Sequence, residues 1–321
     1  MYDNIGLYLN IDEVDSQNLL EDVLQNGNNI TVDKLGENGN GKPFAYISLI
    51  GKNEQKLTFK VLPYQISMIG KNSSICKYYL GDNFQTLSLT QFREAINEIS
   101  ERLGIDLNKA TVCRIDIATN FFMKYSPSSY HSCLNHLSRH VRGAINGNLY
   151  FKTTRKELNF YDKKKEYRQK RVKIPDAFKD AENVLRYEIR FKKNLKKQFG
   201  QTVTISDLCS QSFFEKIIDK WQKHYWNITK QNPIVFDSES STFKTSDFRD
   251  YFLVKGIEAT GGLEYVYTTI NESKKADAIT SSKASYLRRV VSNAYENPAI
   301  TTTYNFVEEL DEKMRLFKPT Y

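Results

Sequence analysis

Residues 158–166 read LNFYDKKKE, a short alternating run that ends in a tyrosine and leads directly into three lysines. Two other segments alternate in the same way, CRIDIATNFF at 113–122 and LRYEIRFKK at 185–193. Alternation of apolar and polar residues is typical of β-strands, in which successive side chains point to opposite faces. The sequence therefore predicts three strands, each with an apolar face for the core and a polar face.

The polar faces of these strands carry reactive side chains. If the three strands lie in one sheet, a single surface collects two carboxylates, a tyrosine and several basic groups. Such groups can bind a divalent cation, hold a phosphodiester and attack it. The side chains are Arg114 and Asp116 in the first strand, Asn159 and Tyr161 in the second, and Arg186, Glu188 and Arg190 in the third.

The positive charge of the chain is concentrated around Tyr161. Residues 151–200 contain 17 Lys or Arg and 7 Asp or Glu, whereas the remaining residues contain 29 and 31. A run such as the three lysines at 163–165 is often only a solvated face. Because the whole positive excess lies in fifty residues, we expect instead that a polyanion binds there, and nucleic acid is the natural candidate.

Composition is typical of a cytoplasmic globular protein. No run approaches the ~20 apolar residues of a membrane span, and the opening MYDNIGLYLNID lacks the basic and apolar regions of a signal peptide. The four cysteines are scattered without a CxxC pair, which favours reduced thiols. We expect no membrane association.

The pattern along the chain predicts an α+β fold. A catalytic domain over residues 1–205 should have a central, mostly antiparallel sheet flanked by helices, followed by a mainly helical region over 206–321. Strands are predicted at 5–11, 44–50, 57–62 and 75–80, with a glycine-containing loop between the first two. Helices are predicted at 90–103, from 126 to about 141, and at 214–225 with Ser206 as a cap.

The C-terminal region is predicted to contain three or four helices after a connector at 232–242. Segments 261–270, 274–279 and 282–294, the last with Arg288 and Arg289, could form an element like a helix-turn-helix. Plain packing or dimerisation explains such helices equally simply, so DNA reading and dimerisation both stay open.

The candidate residues also have ordinary structural explanations. The chain has 20 tyrosines, and most tyrosines are core or surface aromatics. Asp116 and Glu188 could form buried ion pairs with the neighbouring arginines rather than hold a metal. His131, His136 and His140 fall on the predicted helix from 126, but they lack the intervening glutamate of HExxH, and surface positions explain them.

The three segments together resemble a known family. RIDIATNF, NFYDKKKE and LRYEIRFKK, in this order and with these separations, resemble the rolling-circle replication initiators of the trans-acting plasmid Rep type. They also resemble the filamentous-phage gene II/X replication proteins, and the longer stretch LRYEIRFKKNLKKQFGQTVTISDL at 185–208 is similar to the phage group in particular. The resemblance covers residues 110–210 well.

The resemblance implies roles for individual residues. Tyr161 corresponds to the nicking nucleophile, and Asp116 and Glu188 correspond to the acidic residues of a site for Mg²⁺ or Mn²⁺. The plasmid Rep type implies a further acidic residue on the strand before the helix at 90–103. That segment reads ICKYYL here, so Asp82, Glu54 or water would supply the third ligand.

The sequence therefore predicts an enzyme that nicks one DNA strand at a replication origin through a 5′-phosphotyrosine and later rejoins it. The expected partners are origin DNA, a host helicase and polymerase, and a second copy of the chain. A conjugative relaxase or transposase of related chemistry, or an origin-binding initiator or repressor that never cuts, is the alternative. Charge on the scissile phosphate would be neutralised by Lys163, Arg186 and Arg190, and flanking DNA would be held by Arg114, Lys164, Lys165, Lys192, Lys193, Lys196 and Lys197.

Overall fold

The computed structural model describes residues 1–11, 18–68, 70, 72–230, 232, 244–297 and 305–321. The chain divides into two compact units, Met1–Gln231 with Phe306–Tyr321, and Asn232–Asn305. None of the described helices combines the length and the apolar character that a membrane span requires.

The first unit is built on a ten-stranded sheet in the order β2-β3-β4-β5-β1-β6-β11-β10-β9-β8, and every pairing within it is antiparallel. The α+β prediction is therefore confirmed. A separate pair is formed by β7 and β12. The strands are β1 (Tyr2–Asn10), β2 (Ile30–Glu37), β3 (Pro43–Ile50), β4 (Lys56–Leu62), β5 (Gln65–Met68), β6 (Thr111–Met123), β7 (Leu134–His136), β8 (Val141–Ile145), β9 (Asn148–Lys152), β10 (Lys156–Asp162), β11 (Asn183–Phe191) and β12 (Thr229–Lys230).

The described helices flank this sheet or form the second unit. They are α1 (Leu19–Asn26), α2 (Ile75–Leu80), α3 (Leu89–Leu103), α4 (Pro127–Cys133), α5 (Lys163–Gln169), α6 (Leu195–Phe199), α7 (Ile205–Cys209), α8 (Gln211–Trp226), α9 (Thr245–Thr260), α10 (Gly262–Lys275), α11 (Ser281–Tyr295) and α12 (Phe306–Leu316). The predicted helix at 90–103 is confirmed as α3. It begins with a capping box of Ser88 and Gln91 and ends at Gly104, whose φ of 68° suits a residue without a side chain.

The main core lies between the apolar face of the sheet and helices α3, α7 and α8. Tyr2 of β1 contacts Phe92 of α3 and Phe214 of α8, and its hydroxyl donates to the backbone oxygen of Leu208 in α7. On β11 the ring of Tyr187 packs against Trp221, whose side chain is fully buried. Burial of such large aromatic groups fixes which face of the central strands points inward.

Helix α8 explains why the compact unit continues past the predicted boundary at residue 205. Its Trp221 also stacks on Phe121 of β6, with ring centroids 6.4 Å apart. Removing α8 from the unit would expose this side of the sheet, so the sheet and α8 form one core. The roles predicted for residues 1–205 and 206–321 stay predictions.

Three local predictions are wrong. Residues 75–80 form helix α2, because the Ser74 hydroxyl caps its start and Gly81 ends it at a φ of 88°; a short apolar run does not distinguish a strand from a buried helix. The glycine-containing loop between β1 and β3 contains α1 and strand β2. Helix α8 is capped by Ser210 rather than Ser206, and Thr204 caps α7.

The predicted helix from 126 to 141 is also wrong beyond its first turns. Helix α4 ends at Cys133, and the next residue begins β7, which pairs with β12 through His136 and Thr229. The apolar spacing that predicted a longer helix is therefore shared between a helix and two strands. In the second unit the predicted segments 261–270 and 282–294 fall in α10 and α11, while 274–279 contains the end of α10 and a turn. Most of the predicted connector at 232–242 lies outside the described residues.

Candidate active site

The sheet brings the three predicted segments side by side. In the register of β6, β11 and β10, Asp116 lies opposite Arg190, and Tyr161 lies opposite Arg186. Glu188 lies opposite Asn159. Because β11 is the middle strand of the three, its polar residues contact those of both neighbours, and the shared polar face is present as the alternation predicts.

Tyr161 lies near the end of β10 and is 9% exposed. Its hydroxyl donates a hydrogen bond to Oε2 of Glu188 at 3.2 Å. Burial raises the pKa of this phenol well above its ordinary value, although the nearby Arg186 opposes the rise. The tyrosine is therefore protonated at neutral pH and already faces a carboxylate that can accept its proton.

The side chain of Arg186 is buried, lies opposite Tyr161 and bonds to Asp3 in β1. It donates to Oδ2 of Asp3 at 2.6 Å and to the backbone oxygen of Asn83 at 2.9 Å, and its Nε lies 3.7 Å from Glu188. The Asp3 carboxylate also accepts from the Ser74 hydroxyl at 2.6 Å. Burial disfavours the charged form of Asp3, but Arg186, Lys163 and the bond from Ser74 together outweigh it, so the pKa of Asp3 lies well below the usual range.

Asp116 and Glu188 are both engaged by arginines. Asp116 is fully buried and accepts from Nε and NH2 of Arg114 at 2.8 and 2.6 Å. Glu188 accepts from Nε of Arg190, which lies 3.9 Å from Asp116. Burial, together with repulsion from Glu188, raises the pKa of Asp116 to about 7 despite the bonds from Arg114. The ion pairs considered from the sequence are thus present, and metal binding by these two carboxylates stays a prediction.

This donor set bears on metal binding. Among the described residues, no three His, Cys, Asp or Glu side chains form a group that could hold a metal ion. Two carboxylates with substrate phosphates are nevertheless a usual set for Mg²⁺, which keeps several of its waters. Burial is the main cause of the raised pKa of Asp116, and repulsion from Glu188 adds to it; a cation would relieve that repulsion. Asp116 and Glu188 have the oxygen chemistry of such a site, but Asp116 would have to exchange its two bonds from Arg114 for the ion, so the metal site stays a prediction.

The proposed third ligands lie elsewhere. Oδ1 of Asp82 accepts from the backbone N–H of Phe84 at 2.8 Å, and Glu54 is exposed in a turn of 3₁₀ helix at Lys52–Glu54. The acidic residue that does lie beside Arg186 is Asp3. The sequence did not single it out, because the register of β1 on β6 shifts between Tyr2 and Ile5 and so breaks the alternation at this position.

Lys163 is fully buried and takes part in the floor of the site. Its Nζ donates to Oδ1 of Asn83 at 2.8 Å and to Oε2 of Glu166 at 2.7 Å, and it lies 5.8 Å from the ring centroid of Tyr161. Burial and the neighbouring Arg186 lower the pKa of Lys163 to about 8. Burial opposes ionisation of Glu166, but Lys163 and Lys170 together outweigh it and lower the pKa of that carboxyl to about 2.

The next two lysines are directed away from the tyrosine. Nζ of Lys164 donates to the backbone oxygens of Lys179 and Ala181 at 2.8 and 2.6 Å. Lys165 is exposed, and its Nζ lies close to Gly147. Contact of Lys164 and Lys165 with flanking DNA stays a prediction.

One cleft of about 540 Å³, which we call the tyrosine cleft, is lined by Tyr161, Glu188, Arg114 and Arg190 among others. Arg114 and Arg190 are each about 31% exposed at its wall, so these two guanidiniums are accessible whereas Arg186 is not. The described residues that line it are Asp3, Asn4, Gln55, Lys56, Gly70, Asn72, Ser74, Lys77, Asn83, Arg114, Tyr161, Glu166, Lys170, Glu188 and Arg190.

The four lysines after β11 separate into two groups. Lys192, Lys193 and Lys196 line a cleft of about 390 Å³, the lysine cleft, near Tyr8. Lys197 lines a different cleft of about 720 Å³. Lys192 is also bonded to Oε2 of Glu157 at 2.5 Å, so it is already partly neutralised.

The three histidines considered as ligands do not share a helix. His131 lies on α4, His136 on β7 and His140 after it. Burial lowers the pKa of His131 to about 4. The i, i+4 spacing of His136 and His140 therefore does not place them on one face of a helix. The predicted surface position is confirmed for His136 alone of the three, because His131 and His140 are half-buried.

One of the three comparisons with known proteins identifies a family. Residues 1–219 match the family model for the N-terminal region of the phage gene II replication-associated protein. The search of curated proteins gave no match. Among solved structures, the di-domain ARO/CYC StfQ from the steffimycin biosynthetic pathway aligns at 8% identity over 70% of this chain and 96% of that chain, with a TM-score of 0.20. A likeness that weak carries no argument.

Proposed function

Because the chain belongs to the family of phage replication-associated proteins of the gene II type, and is therefore a replication initiator that acts on DNA, we propose that it starts rolling-circle replication by nicking one strand at the origin with Tyr161. The observation that carries the proposal is the hydrogen bond from the Tyr161 hydroxyl to Glu188 at the wall of a cleft that holds two accessible arginines.

In the proposed reaction the oxygen of Tyr161 attacks the scissile phosphorus, and the bond from phosphorus to the 3′-oxygen breaks. The phenolic proton passes to Glu188, its hydrogen-bond acceptor. Because the pKa of the buried phenol is raised, proton transfer must accompany attack rather than precede it. The 3′-oxygen leaves as a hydroxyl after taking up a proton, and the 5′-phosphate stays on the tyrosine.

The arginines have different roles in this proposal. Arg190 and Arg114 are partly exposed, and they contact the phosphate oxygens on which charge develops. Arg186 and Lys163 are buried and bonded to protein groups, so they act as positioning residues that hold β1, β10 and β11 around the site. When bound to Asp116 and Glu188, Mg²⁺ or Mn²⁺ would polarise the scissile phosphate as a Lewis acid.

The covalent intermediate explains how one active site can both open and close the strand. The phosphotyrosine ester conserves the energy of the phosphodiester. A 3′-hydroxyl that returns to the cleft attacks the same phosphorus and displaces Tyr161, which recovers its proton from Glu188. Relaxases and transposases of related chemistry share these steps, and the replication family favours initiation over them.

The test uses the full-length protein, supercoiled DNA that carries its own gene, and Mg²⁺ or Mn²⁺. The wild type should give nicked circles and a covalent protein–DNA adduct, and Tyr161→Phe should give neither while its DNA affinity changes by less than about threefold, because only one oxygen is lost. Tyr167→Phe is the matched control, since that buried tyrosine bonds to Asn83 through its hydroxyl but does not line the tyrosine cleft.

Two results would contradict the proposal. Full nicking by Tyr161→Phe would remove this residue as the nucleophile. Absence of any adduct with the wild type, together with tight and origin-selective binding, would favour an initiator or repressor that never cuts. Tyr187 is not an alternative nucleophile, because its hydroxyl donates to the backbone of Trp221 on the other face of the sheet.

A further inference from the structure

A second cleft lies on the reverse side of the sheet and is lined by cations without an acidic group. We call this cleft of about 720 Å³ the histidine cleft. Its described lining includes no Asp or Glu. The residues that line it are Leu137, Ser138, Arg139, His140, Thr153, Thr154, Arg155, Lys156, Lys197, Gln198, His224 and Asn227.

The position of this cleft follows from the alternation of β10. Leu158 and Phe160 are fully buried in the core, so Lys156, two residues before Leu158, points to the core side of the sheet. Tyr161 points to the polar face. Tyr161 lies five positions after Lys156, and five positions of a strand span about 17 Å. The two clefts thus lie on opposite faces, at opposite ends of one strand.

The cations of the histidine cleft have no counter-charge. In the described part of the chain, none of Arg139, Arg155, Lys156 and Lys197 lies within ion-pair distance of a carboxylate. In the tyrosine cleft, by contrast, both Arg114 and Arg190 are paired with acidic groups. Lys156 is the half-buried one of the four, and the cost of its charge there is one that a bound anion would offset.

The two histidines leave this positive charge uncompensated. Nδ1 of His224 bonds to the backbone oxygen of Lys220 at 2.7 Å, which leaves Nε2 to accept from Nζ of Lys156 at 2.5 Å. Burial, and then Lys156, lower the pKa of His224 to about 4, so the ring is neutral. Nε2 of His140 is buried without a hydrogen-bond partner among the described residues. The cleft thus holds an ammonium without a counter-charge and an open imidazole nitrogen.

We propose that the histidine cleft binds phosphates of single-stranded DNA that extends from the tyrosine cleft around the end of the sheet at residues 153–155. This inference rests on the proposed function for the identity of the ligand. A groove of cations that tracks a backbone is the usual means of holding a single strand, and phosphate contacts hold DNA without reading its sequence.

The test compares a histidine-cleft variant, Arg139→Gln with Arg155→Gln and Lys156→Gln, with the wild type. Binding of oligothymidylates of 3 and 30 nucleotides is measured by fluorescence anisotropy from low to moderate salt. Three phosphate contacts on a single strand predict a salt slope flatter by about 2, with affinity for the 30-mer roughly tenfold weaker at low salt. The 3-mer is too short to reach from one cleft to the other, so in the variant the advantage of the 30-mer over the 3-mer should largely disappear.

A control variant makes the same charge change elsewhere. Lys34→Gln with Lys42→Gln and Lys109→Gln neutralises three exposed lysines that line none of the clefts described above. It should keep the wild-type slope and length dependence. If replacing the half-buried Lys156 impairs folding, the double variant Arg139→Gln with Arg155→Gln, both exposed, should still flatten the slope by about 1.4.

The outcomes separate this inference from the proposed function. The histidine cleft is not a DNA site if the triple and the double variant both keep the wild-type affinity and salt slope for the 30-mer. The same conclusion follows if the control variant loses as much affinity as the histidine-cleft variant, even if Tyr161 nicks DNA. If the wild type forms no adduct yet the histidine-cleft variant loses its preference for the 30-mer, the cleft is a DNA site and the nicking proposal fails. Formation of the adduct on supercoiled DNA by the variant, at a saturating concentration of protein, should match the wild type.

Discussion

Replacing Glu166 by Gln should destabilise the sheet-containing unit in a strongly pH-dependent way. Oε2 of Glu166 lies 2.7 Å from the buried Nζ of Lys163, and the glutamate side chain is 22% exposed. Burial opposes ionisation, but Lys163 and Lys170 lower the pKa of Glu166 from 4.5 to about 2. Since a tenfold change in an acid constant corresponds to about 1.4 kcal/mol, the carboxylate contributes on the order of 3 kcal/mol to the free energy of unfolding.

The direction of the pH dependence follows from the sign of this shift. The folded protein holds the Glu166 proton less tightly than the unfolded chain, so its contribution is present above the unfolded value near 4.5. It is lost as the pH falls through about 2. The difference between wild type and Glu166→Gln should therefore be about 3 kcal/mol at pH 6.5, shrink below pH 4.5 and disappear near pH 2. At pH 6.5 the variant also removes the carboxylate that pairs with Lys163, whose Nζ keeps its bond to Asn83.

Urea unfolding followed by tryptophan fluorescence measures this difference at each pH. Both tryptophans of the chain, Trp221 and Trp226, lie in helix α8 of the sheet-containing unit, so the signal reports on that unit. Glu101→Gln, on the exposed side of α3, is the matched control and should change stability by less than about 0.5 kcal/mol. A gap below about 1 kcal/mol at pH 6.5, or one that persists unchanged at pH 3, would refute the assignment of Glu166 as the partner of Lys163.

Two further predictions concern catalysis and DNA binding. Glu188→Gln should slow formation of the covalent adduct by a factor of about 10²–10⁴, because the phenol loses its proton acceptor; an adduct rate within threefold of the wild type, in rapid-quench measurements, would exclude this role. Changing Lys192, Lys193, Lys196 and Lys197 together to Gln should flatten the salt slope of duplex binding by about two to four. Binding to origin and to scrambled DNA should weaken alike, because phosphate contacts carry no sequence information. If only the preference for the origin were lost, these lysines would read bases.

The sequence predicted the chemistry of the central strands better than their surroundings. Alternation alone placed Asp116, Tyr161 and Glu188 on one face, because the period of a strand is fixed by its backbone. Alternation could not show which strands are neighbours. Asp3 reaches Arg186 because β1 lies beside β6, and that pairing joins residues more than a hundred positions apart. Contacts of that separation leave no local pattern.

Two local predictions were wrong because the spacing of apolar residues did not determine the secondary structure there. The run ICKYYL has the composition of a strand, yet Ser74 and Gly81 supply the two ends of a helix, and Cys76 and Tyr78 are buried in it. After Cys133 the spacing of Leu134 and Leu137 suits a helix, but pairing of β7 with β12 ends it. The caps of α2 are local, but six residues show too little periodicity to distinguish a helix from a strand. The pairing of β7 with β12, by contrast, lies outside the window in which periodicity can be seen.

The charge balance of the tyrosine cleft connects its ion pairs to the need for a cation. Asp3, Asp116 and Glu188 are matched by Arg114, Arg186 and Arg190, so this inner cluster is neutral when all six groups are ionised. A phosphodiester brings a negative charge that the cluster alone does not match. In the proposed reaction that charge would be balanced by a divalent ion held by Asp116 and Glu188, or by protonation of Asp116, whose pKa of about 7 puts this within reach at neutral pH. Under this proposal, arginine pairing of the two carboxylates and metal binding by them would be two states of one electrostatic site. Arrival of the phosphate, with Arg114 and Arg190 turning toward it, would favour the second.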